Sequence, residues 1–349
     1  MTFEPKAFSQ RLLPASKMPA YREKNFWVWC GSPVQGEDGR FHLFASRWSK
    51  QVTFLHWAVN SEIVRASSDV PEGPYHFEEV VIGPRDPSFW DGRVAHNPAI
   101  CKCGEHYLLY YTGTTYQGSQ PRNIEDGKLF SEKWVEAWNR KRVGLAVSKS
   151  VFGPWTRMDH PLLESRPKSW DSVITSNPAP CVLEDGSIRV LFKSTNIPHP
   201  LAHFPGRFHF GIAGAPHWSR PMQRICDTPV LMNSNTDHHL EDGYIWWNGS
   251  CYEMIAKDMT GEVCGEAQAA IHAFSRDAVS WTLASKPKAY SRTVRWEDGT
   301  SSTLPKLERP QLLFNCGAPS HLFVATLEMS ESGEILDSYN LCIPLRRLE

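Results

Sequence analysis

The chain has 349 residues, 41% hydrophobic and 21% charged, with a formal net charge of −1. That profile belongs to an ordinary globular protein with a large core, and it excludes a disordered or collagen-like chain. Its near-neutral balance argues against nucleic acid as a partner, since the longest basic cluster, Arg140-Lys141-Arg142, reads as a solvated loop end before a strand.

Residues 1–25 read as an N-terminal arm, which could reach a neighbouring subunit in a homo-oligomer. Met1 to Leu13 carries charges and a Pro but no continuous apolar core, so no secretory signal is expected. From residue 26 one phrase recurs: a strand opening next to a polar-Pro step, a second strand, then a third ending in Ser before a turn and an aromatic. The openings are Ser32-Pro33, Asn97-Pro98, Asn177-Pro178, Glu241-Asp242 and Arg309-Pro310. Third strands such as Ile63–Ser67 and Val143–Ser148 lead to Gly73-Pro74-Tyr75 and Gly153-Pro154-Trp155, while Ile271–Ser275 leads to Ser280-Trp281. The third unit, ending at Trp218, is a looser copy. Five such units predict an all-β fold, a five-bladed β-propeller with a short N-terminal arm and loop insertions, residues 26–349 forming one domain. Aromatics at matching positions are expected to pack between blades.

Three segments interrupt the pattern. Leu129, Phe130, Trp134, Val135 and Trp138 predict a short amphipathic helix within residues 125–142, inserted between the second and third strands of blade two near the pocket rim. Residues 197–207 and 296–304 read as further insertions. No apolar stretch approaches the ~20 residues of a membrane span. The nine cysteines are scattered, and Cys101-Lys102-Cys103 has the wrong spacing for a zinc or redox site, so reduced thiols and a cytoplasmic location are expected.

In a propeller blade the first strand lies nearest the axis and the second runs antiparallel to it. The start of the first and the end of the second therefore emerge at one face. The first-strand starts offer Ser32, His96, Asn97, Asn177, Glu241, Asp242, Glu308 and Arg309. The second-strand ends offer Arg47, Trp48, Thr112, Lys193, Lys257 and Asp258, and the third strand of blade four adds Glu266. Two converging rings of such residues predict a central ligand pocket. Its carboxylates are expected to be Asp91, Glu241, Asp242, Asp258, Glu266 and Glu308. Glycoside hydrolysis needs one protonated and one ionised carboxyl, and crowding separates their pKa values. Arg309 and Lys257 would favour ionised neighbours. Any single acid here reads equally as a turn cap or an inter-blade ion pair, and strand alternation predicts that only one of Glu241 and Asp242 faces the axis. Trp48 and Trp246 would stack on a sugar. Arg47, His96, Asn97, Asn177, Lys193, Lys257, Asp258 and Arg309 would contact substrate.

Metal and cofactor sites are sparse. His199, His203 and His209 lie close in sequence, but Pro198, Pro200 and Pro205 argue against the helix that would align them, and His238-His239 completes no ligand set. No Gly-rich phosphate loop is present, so no nucleotide cofactor is expected. A structural Ca²⁺ or Mg²⁺ on the propeller axis is left open, because carbonyls and carboxylates converge there.

Leu240–Trp247 followed by Met254–Met259, and Trp29–Pro33 with Phe44–Trp48, resemble the matching phrases of the five-bladed propeller glycosidases: glycoside hydrolase families 43 and 117 and the sucrase-like proteins. The likeness runs over residues 26–344. It implies a trio of acids, namely a base, a second acid that tunes pKa and holds the sugar, and a proton donor. Asp91, Asp242 and Glu308 take those places by order, with Glu241 a further catalytic candidate and His96 or His239 an alternative acid. The sequence departs from family 43 in carrying Ser32 where an Asp precedes Pro. Asp91 is also double-edged: Trp90-Asp91 and Trp170-Asp171 each lie six residues before an Asn-Pro step, the mark of a structural fastener. The resemblance implies an exo-acting glycoside hydrolase of oligosaccharides. A glycoside phosphorylase, drawing on Arg47, Lys193, Lys257 and Arg309, and a non-catalytic sugar-binding propeller are the alternatives.

Overall fold

The computed structural model describes residues 5–123, 131–231 and 239–348. Four four-stranded antiparallel sheets and one three-stranded sheet follow each other along the chain. Blade one is β1 (Phe26–Gln35), β2 (Phe41–Ser49), β3 (Glu62–Ser68) and β4 (His76–Ile82), with a short helix α1 (Trp57–Asn60) between β2 and β3. Blade two is β5 (Val94–Cys103), β6 (His106–Thr114), β7 (Arg142–Ser148) and β8 (Thr156–Arg157), with α2 (Glu132–Asn139) inserted between β6 and β7. Blade three is β9 (Ile174–Val182), β10 (Ile188–Thr195), β11 (His209–Ala215) and β12 (Gln223–Arg224). Blade four is β13 (Leu240–Trp247), β14 (Tyr252–Asp258), β15 (Ala270–Ser275) and β16 (Trp281–Tyr290), followed by the hairpin β17 (Thr293–Arg295) and β18 (Ser301–Thr303). Blade five is β19 (Glu308–Asn315), β20 (Ala318–Met329) and β21 (Ile335–Pro344).

The first strands close a ring: β1 lies beside β5, β5 beside β9, β9 beside β13, β13 beside β19, and β19 beside β1. This is the five-bladed propeller expected from the sequence repeat. Blade five's outer edge is taken by the arm. Leu13 N donates to Pro344 O at 3.0 Å, and Ala20 N donates to Asn340 O beside β21. Phe8, fully buried, packs on Trp246 with ring centroids 5.9 Å apart. The arm thereby joins the start of the chain to its last blade, covering an edge that would otherwise leave backbone groups unpaired.

Each first strand carries a bulge at the same height. The residue there has positive φ in all five blades: Cys30 (55°), Asn97 (55°), Asn177 (52°), Asp242 (56°) and Arg309 (55°). Asn and Asp tolerate this conformation, whereas Cys and Arg adopt it at a cost of about 1–2 kcal/mol. The next residue is Pro98, Pro178 or Pro310, or else Gly31 or Gly243. The glycines are forced by crowding, because a Cβ would lie 2.8 Å from Asn340 Cγ at Gly31 and 2.4 Å from Leu191 Cδ2 at Gly243. The match to Asn97-Pro98 in blade one is therefore Cys30-Gly31, two residues before the expected Ser32-Pro33. Ser32 instead donates to Gln311 Oε1 at 2.9 Å, tying β1 to β19.

Aromatics after the turns do pack between blades. Trp155 meets Phe44 edge-on at 5.4 Å, and Tyr75 meets Phe323 at 6.0 Å. Of the helix expected within residues 125–142, α2 is present, N-capped by Ser131 Oγ accepting from Trp134 N. Leu129 and Phe130 lie outside the described residues, as does His238.

Candidate active site

The bulges decide where side chains point. A bulge sets two residues against one on the partner strand, so both can face the same side. Glu241 and Asp242 accordingly both reach the axial cavity, contrary to strict alternation. The cavity has a volume of about 310 Å³, and its polar wall comprises His96, Asn97, Lys141, Asn177, Lys193, Glu241, Asp242, Lys257, Lys306, Glu308 and Arg309. Its aromatic side is Trp29, Trp48, Phe54 and Trp57.

The five bulge side chains form the floor, four of them joined by hydrogen bonds and the fifth, Arg309, by an ion pair. Cys30 Sγ donates to Asn97 Oδ1 (2.7 Å), Asn97 Nδ2 to Asn177 Oδ1 (2.6 Å), and Asn177 Nδ2 to Asp242 Oδ1 (3.0 Å). Arg309 Nη1 lies 3.6 Å from Asp242 Oδ1. This ring does not fit the axial Ca²⁺ or Mg²⁺ left open by the sequence. Its amide oxygens already accept from neighbours, only one of its members is anionic, and a guanidinium supplies the positive charge. Among the described residues no group of three His, Cys, Asp or Glu side chains is arranged to hold a metal.

Above the floor, Lys257 organises the acids. Its Nζ bonds Glu241 Oε2 at 2.8 Å and Glu308 Oε1 at 2.9 Å, with Asp242 Oδ2 at 3.4 Å. Lys193 pairs with Glu241, and Lys306 with Glu308 at 3.1 Å. Burial pushes the Glu241 carboxyl up, but Lys193 and Lys257 prevail and hold it well below the usual range. Burial likewise opposes ionisation of Glu308, and Lys257 and Lys306 bring it below its ordinary value despite Glu241. Burial pushes the Lys257 ammonium down, yet Asp242, Glu241 and Glu308 together outweigh it and hold the group well above the usual lysine range. Crowding alone would have separated the acids' pKa values. The lysines cancel that effect, and both carboxyls are ionised at rest.

His96 is buried, its Nδ1 sharing a hydrogen bond with Ser61 Oγ (2.8 Å) and its ring stacked on Trp57 at 5.0 Å. Burial, then Arg309, Lys141 and Lys193, push it well below the usual histidine value, so the imidazole is neutral.

Several expected site residues lie elsewhere. Asp91, 1% exposed, is not in the cavity wall. It accepts from Arg85 Nε (2.6 Å) and Tyr111 OH (2.7 Å), while Trp90 stacks on Tyr111. Asp171 repeats this device with Arg166 (3.0 Å) and Arg224 (2.5 Å), Trp170 stacking on Phe192. The Trp-Asp pair is therefore a fastener in both blades. Arg47 also leaves the wall, pairing with Glu23 (2.8 Å) and Glu62 (2.9 Å) between the rings of Phe26 and Phe77. Asp258 accepts from the backbone N–H groups of Gly261, Val263 and Cys264, closing a loop instead of meeting substrate. Glu266 similarly ties Lys288, Ser291 and Arg292 together. Trp48 lines the wall with 1% of its surface exposed, so it packs and offers no stacking face. Trp246 borders a separate hollow of about 440 Å³ with Pro33, Ile100 and Leu312.

Sequence reasoning missed Lys141, Trp57, Trp29 and Lys306. Lys141 was expected to be solvated, yet it is buried with its Nζ 4.0 Å from the Trp138 ring centroid and 5.1 Å from that of Trp57. The available signal was the Trp134/Trp138 face immediately before it, which gives a basic residue an aromatic lining.

Fold and cavity together define a five-bladed propeller with an acid-bearing axial pocket, an architecture found among glycoside hydrolases. No protein-family profile matches the sequence, and no curated protein sequence matches it. Solved structures do. Zg3597, a family 117 glycoside hydrolase from the marine bacterium Zobellia galactanivorans, superposes with a TM-score of 0.65 at 15% identity, covering 97% of this chain and 92% of its own. A thermostable family-43 glycoside hydrolase gives 0.56 at 12% identity, over 97% of this chain and 94% of its own. The catalytic domain of the Coprinopsis cinerea GH62 α-L-arabinofuranosidase gives 0.59 at 11% identity, over 97% and 98%. At such identities the likeness establishes the fold.

Proposed function

We propose that the protein is an exo-acting glycoside hydrolase that cleaves an oligosaccharide held in the axial cavity. The observation that carries this reading is the meeting of Glu241 and Glu308, from different blades, on one ammonium inside a cavity. A volume of about 310 Å³ suits one or two sugar units. Glu241, held by two buried lysines, is the carboxylate that stays ionised and attacks carbon or activates water. Glu308, whose second partner Lys306 is partly exposed, is the easier to protonate and serves as the donor to the departing oxygen. Substrate that parts Lys257 from Glu308 leaves that carboxyl buried beside Glu241, which raises its pKa and lets it carry the proton. Asp242 positions Lys257 and Arg309. His96, Asn97, Asn177 and Lys193 line the sugar site. Unpaired thiols at all nine cysteines suit a reducing cytoplasm.

The test is a panel of aryl glycosides and oligosaccharides, with and without inorganic phosphate. Phosphate-independent hydrolysis is expected, and Glu308→Gln or Glu241→Gln should each lower kcat by about 10²-fold or more with a folded circular dichroism spectrum. Wild-type turnover in both amide variants would remove them from the mechanism. Strict phosphate dependence would favour a phosphorylase.

A further inference from the structure

The cavity holds more cations than its own acids neutralise. Five cationic side chains line it, Lys141, Lys193, Lys257, Lys306 and Arg309, against the three carboxylates Glu241, Asp242 and Glu308. Four of the five are matched: Lys193 to Glu241, Lys257 to all three acids, Lys306 to Glu308, and Arg309 to Asp242. Lys141 is the remainder. It is 4% exposed, and among the described residues no carboxylate pairs with it. Its ammonium is lodged against the rings of Trp138 and Trp57.

An ammonium buried without a counter-ion is costly, and a protein that keeps one facing a cavity has a place for an anion. The aromatic faces stabilise the charge only partly. The geometry points to a substrate whose sugar carries a singly charged oxyanion, a uronate carboxylate or a sulfate ester, received by Lys141 at the aromatic side of the cavity. The five cations exceed the three carboxylates by two, a count that admits phosphate as well as a sugar-borne anion, so inorganic phosphate is an arm of the binding test. The ammonium faces the same cavity that the glycosidase reading gives to the sugar, which favours an anion borne by the sugar over a separate ion. Burial and Lys193 depress the Lys141 ammonium well below the usual lysine range, with Glu241 opposing. Binding an anion therefore restores a charge that the pocket's own residues discourage.

This assignment rests on the glycosidase reading for the sugar but not for the anion, and binding separates the two. Calorimetric titration of the full chain would compare D-galacturonate and D-galactose 6-sulfate with neutral D-galactose and with inorganic phosphate. Tighter binding of either acidic sugar than of galactose is expected, the two acids distinguishing carboxylate from sulfate. Lys141→Met should weaken the acidic sugar about thirtyfold or more, the loss typical of removing one partner of a buried charge pair, and so abolish its advantage over galactose. Lys141→Arg should retain the preference for the acid. Equal binding of galactose and both acidic sugars by the wild type, or phosphate binding without acidic-sugar binding, overturns the proposal without any variant. So does a folded Lys141→Met that binds acidic sugar as the wild type does. Hydrolysis of neutral glycosides alone would sink this inference and keep the hydrolase. Acidic-sugar binding with no glycoside cleaved would do the reverse.

Discussion

Replacing Lys257 with Met removes the one charge shared by three acids, Asp242 buried and Glu241 and Glu308 half-buried. At 2.8 Å and an effective dielectric constant of about 20, each close contact is worth roughly 6 kcal/mol before desolvation. Most of that offsets the burial of the charges, and breaking such a cluster costs a net ~3–5 kcal/mol. For a chain of this size that is a fall in Tm of about 4–7 °C. The cost depends on pH, and its sign follows from the carboxyls. In the wild type Glu241 and Glu308 lie below their unfolded values, so their contribution is complete above the ordinary carboxylate range and lost as pH falls through the folded pKa. Without Lys257 both carboxyls rise, and acid relieves their repulsion. The Tm gap between wild type and Lys257→Met, measured by calorimetry at pH 7.5 and pH 4, should therefore narrow markedly at the lower pH. A gap of equal size at both values would refute the view that Lys257 acts by neutralising these acids.

Asp91→Asn should lower Tm, because Arg85 and Arg157 lose their buried partner, yet leave kcat/KM of the folded enzyme within about twofold, since neither Asp91 nor its partners line the cavity. A hundredfold loss of kcat would return Asp91 to the mechanism. Phe8→Ala should cost about 3–5 kcal/mol by urea unfolding, the range for a fully buried aromatic, and a negligible cost would mean the arm is dispensable. Glu241 Oε2 and Glu308 Oε1 bond the same ammonium and so lie within about 6 Å of each other, short of the ~6.5–9.5 Å that inversion uses. The product anomer followed by NMR should retain configuration, and inversion would mean that the working pair is a different one.

Much of the architecture could be read from the sequence because it repeats. Five strand openings at similar spacing, and aromatics after the third strands of blades one, two and four, announced the blades. Asn97-Pro98, Asn177-Pro178 and Arg309-Pro310 marked the bulges. Cys30-Gly31 did not, since its glycine answers to Asn340 on another blade. Lys193, Lys257, Glu241, Asp242 and Glu308 were placed in the cavity by strand position alone. Asp91, Arg47 and Asp258 were misplaced: Glu23 and Glu62 claim Arg47 from the arm and a neighbouring strand, while Arg85 before Asp91 and the amides of Gly261, Val263 and Cys264 after Asp258 are nearby partners that strand position does not register.

The sequence by itself thus determined the fivefold sheet and which face gathers the polar residues, because strand period and turn chemistry are local properties. Tertiary structure alone decided which charges share one space. A left-handed bulge turned Glu241 and Asp242 to the same side, Trp57 from blade one closed over Lys141, and Glu23 of the arm with Glu62 withdrew Arg47. Charge pairing depends on distances of a few ångströms between residues far apart in the chain, and no local pattern encodes those distances.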